Sequence, residues 1–70
     1  MINPLIREAM NAGPVSMEID NEINSDGSQL VRVRGRFPSY KKGPIITTVP
    51  FQMFPEEINE VRREVVLKIN

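Results

Sequence analysis

Glu22, Asn24, Asp26 and Ser28 set oxygen-bearing side chains at alternate positions around Gly27, in the manner of the first half of a calcium-binding loop. The second half is missing. The twelfth position, where a bidentate acid is required, falls on Val33, and Ser25-Asp26-Gly27 already has the chemistry of a tight turn. The expectation is a turn, with no metal site.

Histidine and cysteine are both absent. That removes the commonest general base and the best thiol nucleophile, and it leaves every serine and threonine without an imidazole to activate it. Catalysis would rest on carboxylates or on Lys41 and Lys42, so the chain reads as a non-enzyme with no cofactor. Arg32, Arg34 and Arg36 with Tyr40, Lys41 and Lys42 form the one basic cluster, and a basic sheet face beside an aromatic is a way to meet phosphates and bases. Nucleic-acid binding is therefore the alternative reading. Against it stand the acids Glu18 and Asp20, which the strand pairing below sets beside these arginines.

These side chains need a scaffold. From Val15 to Ile23 the apolar residues Val15, Met17, Ile19 and Ile23 alternate with Ser16, Glu18, Asp20 and Glu22, and in the run from Leu30 to Phe37 the positions Val31, Val33, Gly35 and Phe37 alternate with Arg32, Arg34 and Arg36. Each run is a strand with one oily and one charged face. A three-residue hairpin loop closes with a residue in the left-handed region, which suits Gly27. Asn24 then faces Ser28, and the same register carried along the strands sets Asp20 against Arg32, Glu18 against Arg34, Ile19 against Val33, and Val15 against Phe37.

Asn3 and Pro4 open a helix over residues 4 to 12 that Gly13-Pro14 closes. Residues 38 to 44 read as a loop, and Ile45 onward as a third strand that Pro50 places at a sheet edge. Pro55 and the acids Glu56 and Glu57 open a second helix over residues 55 to 68, carried by Ile58, Val61, Val65, Val66 and Ile69. The β-branched run from Val65 admits an alternative, a small barrel-like β domain in which residues 65–69 form a fourth strand. The predicted fold is α+β: a helix, a three-stranded antiparallel sheet and a C-terminal helix, in one domain spanning residues 1–70.

Seventy residues at 40% apolar build one modest core, so stability is marginal and a partner is expected. Nine basic and nine acidic residues balance, which gives no bulk attraction to nucleic acid or an anionic membrane. Without cysteine, a membrane-length apolar run or an export leader, the chain reads as a soluble cytoplasmic protein. Ile46, Phe51, Met53 and Phe54 exceed what a small one-sided sheet needs to bury, and they are the candidate protein interface. The functional expectation is a small regulatory or accessory module acting by protein contact, with a homodimer as one form of it.

Overall fold

A computed structural model describes residues 2–40 and 43–69, with side chains for 2–40 and 45–65. Its elements are α1 (Pro4–Ala12), β1 (Ser16–Ile23), β2 (Gln29–Phe37), β3 (Gly43–Met53) and α2 (Pro55–Ile69). The expected order holds. The Asn3 Oδ1 accepts from the Leu5 N–H at 2.9 Å and caps α1, while Pro4 occupies the first turn, where no donor is needed. So short a helix persists only by docking, and it buries Ile6, Ala9 and Met10 against the sheet.

Pro55 and the acids Glu56 and Glu57 likewise begin α2, with the Ile58 N–H donating to the Phe54 carbonyl at 3.0 Å. This helix continues through Ile69, so residues 65–69 are not a fourth strand. Ile58 and Val61 place one helical face in the core, with Val65 packed against it, and that docking overrides the strand preference of the valines. Among the described residues, polar contacts also hold the helices together. The Asn3 N–H donates to Glu57 Oε2 at 2.8 Å, and the Arg7 guanidinium forks onto the Glu64 carboxylate.

The sheet is antiparallel in the order β1-β2-β3, so β2 is central and β3 is an edge, as Pro50 implied. Gly27 has φ +90° and the Asn24 N–H donates to the Ser28 carbonyl at 2.8 Å, which is the expected hairpin loop. The register then departs from expectation. Ile23 lies opposite Gln29, but past a bulge between Ile19 and Ile23 the partners become Ile19 with Val31, Glu18 with Arg32, Met17 with Val33 and Ser16 with Arg34. The shift is two residues. An even shift leaves every side chain on its original face, so the alternation of oil and charge survives it.

Val31, Val33, Phe37, Val49 and Met53 point to the helix-covered side and form the core with both helices. Arg32, Arg34 and Arg36 take the other side. Gly35 belongs to the inner set because Val15 crosses it: a Cβ there would sit 2.7 Å from Val15 Cγ1, closer than real side chains pack.

Candidate functional site

Along a strand, the backbone N–H and C=O of successive residues point alternately to the two sides. The Ser28 carbonyl faces β1, since it accepts from Asn24, so the even-numbered residues of β2 turn their backbones to β1 and Val31, Val33 and Gly35 turn theirs to β3. Their partners Phe51, Val49 and Thr47 face back toward β2. Ile46, Thr48, Pro50 and Gln52 therefore point their backbones outward. Pro50 confirms the phase independently, because a residue without an N–H is tolerated where no ladder donor is required.

The outer edge of β3 is bounded twice. Pro50 interrupts its row of donors, and a second irregularity lies between the pairs Arg36–Ile46 and Phe37–Gly43. Between them, Ile46 and Thr48 present intact outward amides and carbonyls. Ile45 and Ile46 are 54% and 50% exposed there, and β3 carries no charged residue along its whole length. An uncharged, partly apolar free edge is the usual template for pairing with another chain.

The four interface candidates separate. Ile46 and Phe54 are exposed, whereas Phe51 is half-buried with its ring 6.2 Å from that of Phe37. Met53 is 1% exposed and belongs to the core beside Ile58 and Val61, so it lies in no accessible surface. Its inward phase, shared with Val49, was the available signal. Ile45 was not among the candidates, and neither was Ile23, which stands exposed beyond the β1 bulge.

The basic candidates also separate. Arg32 Nη1 donates to Asp20 Oδ1 at 3.0 Å and lies 3.6 Å from Glu18 Oε1, and the hydrogen bond to Asp20 raises the guanidinium pKa further above its ordinary value. The expected Asp20–Arg32 pair thus forms across the bulge, while Arg34 faces Ser16 rather than Glu18. Arg34 and Arg36 are exposed. Tyr40 is half-buried, its ring edge-on to Phe37 at 6.4 Å, which commits the aromatic to packing. The Glu8 carboxylate accepts from the Ser39 N–H and Oγ–H, each at 2.7 Å, and ties the start of this loop to α1. Lys41 and Lys42 lie outside the described residues.

At the hairpin tip, Asp26 Oδ1 accepts from the Ser28 N–H at 3.0 Å and from its hydroxyl at 2.7 Å. The hydroxyl bond, followed by the backbone one, lowers the Asp26 pKa below the usual carboxylate range. Asn24 Nδ2 reaches both Ser28 Oγ, at 3.1 Å, and Gln52 Oε1, at 2.8 Å, so the tip is pinned to β3. Asp26 thereby serves the turn. Among the described residues no three acids, histidines or cysteines gather as a metal would require.

A cleft of about 540 Å³ lies between the C-terminal end of α1, Val15 and Val65. Among the described residues its lining is Met10, Asn11, Ala12, Gly13, Pro14, Val15 and Val65, none of them ionisable. Among the described residues no helix is long and apolar enough to cross a membrane. In comparisons with known protein families, curated proteins and solved structures, nothing matches this chain.

Proposed function

We propose that this chain is a non-catalytic regulatory or accessory module that works by protein contact, with the outer side of β3 as its contact surface. The observation that supports this reading is the coincidence, on one edge strand, of outward backbone groups at Ile46 and Thr48, exposed Ile45 and Ile46, and no charge. Such a surface gains affinity from main-chain hydrogen bonds and apolar burial, and neither needs a catalytic group. The nucleic-acid alternative draws on Arg34 and Arg36, but Arg32 is spent on Asp20 and Glu18, and Tyr40 on Phe37.

A photoreactive amino acid placed at Ile46 in one variant and at Arg34 in another, followed by irradiation in native-host cells, separates the readings. Position 46 is expected to give adducts with protein. Adducts with nucleic acid at position 34, and none with protein at position 46, would overturn the proposal.

A further inference from the structure

The geometry points to a second copy of this chain as the occupant of the β3 edge, paired antiparallel about a two-fold axis through Thr47. This inference rests on the contact-surface reading above and adds the partner and the register. Ile46 and Thr48 are the outward pair between the irregularity and Pro50, and Thr47 is their midpoint. A two-fold axis there sets Ile46 against the partner's Thr48 and Thr48 against the partner's Ile46, so each outward amide meets an outward carbonyl. Centring the axis on Pro50 or Gln52 instead would bring the proline into the ladder and waste acceptors. Two three-stranded sheets would join as one.

Side chains fit the same register. On the open face Ile46, exposed in the single chain, lies beside the partner's Thr48, which covers it. Charge decides between this edge and the opposite one. Across a β3–β3 seam the row runs Arg36, Ile46, the partner's Thr48, the partner's Arg34, so the arginines stand three strand spacings apart, about 14 Å. That exceeds the screening length of about 8 Å at physiological salt. A β1–β1 seam would instead set the acids Glu18 and Asp20 of one copy directly against those of the other, about 5 Å apart.

The chain has no cysteine, so an introduced one is unique. In the proposed register the two Thr47 residues form a non-hydrogen-bonded pair with Cα atoms about 4.5 Å apart, within the reach of a disulfide. Under mild diamide oxidation of the full chain, Thr47→Cys is expected to link to itself. Ile46→Cys and Thr48→Cys are each expected to lag alone and to link when mixed. Light scattering over a dilution series supplies the reversible counterpart: the wild type is expected to shift from dimer to monomer. Thr48→Pro removes only an outward donor, so it should remain monomeric at every concentration with an unchanged circular dichroism spectrum.

A monomeric wild type throughout, or fastest linking at a position other than 47, would overturn the inference, as would a Thr48→Pro chain that still dimerises. If protein adducts at position 46 persist but contain only other proteins, the contact surface stands and the second copy falls.

Discussion

The two outer strands of the sheet face the same hazard, an unpaired row of backbone donors and acceptors, and they are built in opposite ways. β1 is acidic on its open face and broken by a bulge at residues 20–22, with Asp20 drawn across to Arg32. Charge and irregularity together prevent a clean new ladder from forming on it. β3 has neither device between Ile46 and Thr48. It relies on Pro50 and on the irregularity beyond Ile46, which shorten the available edge without closing it. Under the proposed pairing, an edge defended on one side and left open on the other would direct association to one surface.

The largest effect should come from testing the inner side of β3 against its outer end. Met53→Ala opens a hole beside Ile58 and Val61 and is expected to cost about 2–5 kcal/mol in urea unfolding. Phe54→Ala, one residue on and exposed, should cost no more than about 0.5 kcal/mol in the monomer. Equal losses would mean that Phe54 also packs in the core.

Next comes the place where β1 enters the sheet. Gly35→Ala forces a Cβ against Val15 Cγ1, and overpacking of that kind costs about 1–3 kcal/mol. Val15→Ala in the same chain should restore part of the loss, which thermal melts of the single and double variants would show.

The bulge pairing is smaller. The half-buried Asp20–Arg32 pair should show a small favourable coupling in a double-mutant cycle with Asp20→Ala and Arg32→Ala. Glu18→Ala with Arg34→Ala should show no coupling, because the bulge has moved Glu18 onto Arg32. Coupling in the second cycle as well as in the first would restore the unshifted register, which pairs Glu18 with Arg34.

The smallest effect belongs to the hairpin tip and depends on pH. Asp26 is lowered in the folded chain by the Ser28 hydroxyl and amide, so its contribution to stability is complete above the unfolded carboxylate pKa of about 3.9. It is lost as pH falls through the lower, folded value. Asp26→Ala should show a shallower loss of stability than the wild type across that acid range. Parallel curves would remove Asp26 from the turn's energetics.

Much of this was legible in the chain because local signals agreed. Asn3-Pro4 and Gly13-Pro14 bound α1, Gly27 closed the hairpin, and Pro50 marked the edge. The bulge was not legible. A shift of two residues preserves the facing of every side chain, so Asp20, Asn21 and Glu22 read as ordinary alternation, and only the backbone pairing reveals it. Met53 reads as an interface candidate because sequence shows an excess of apolar residues on β3 but not which of them the core takes up. Its odd phase, shared with Val49, puts it in the core cluster that also holds Ile58 and Val61, whereas Ile46 has the opposite phase and stays outside.

Amide hydrogen exchange of the intact protein, resolved residue by residue at high and low concentration, compares the two edges directly. The outward amides of Ile46 and Thr48 should exchange slowly at high concentration and speed up on dilution, while those of Met17 and Ile19, outward on β1, exchange fast at both. Ile46 and Thr48 exchanging as fast as Met17 and Ile19 at every concentration would contradict the account.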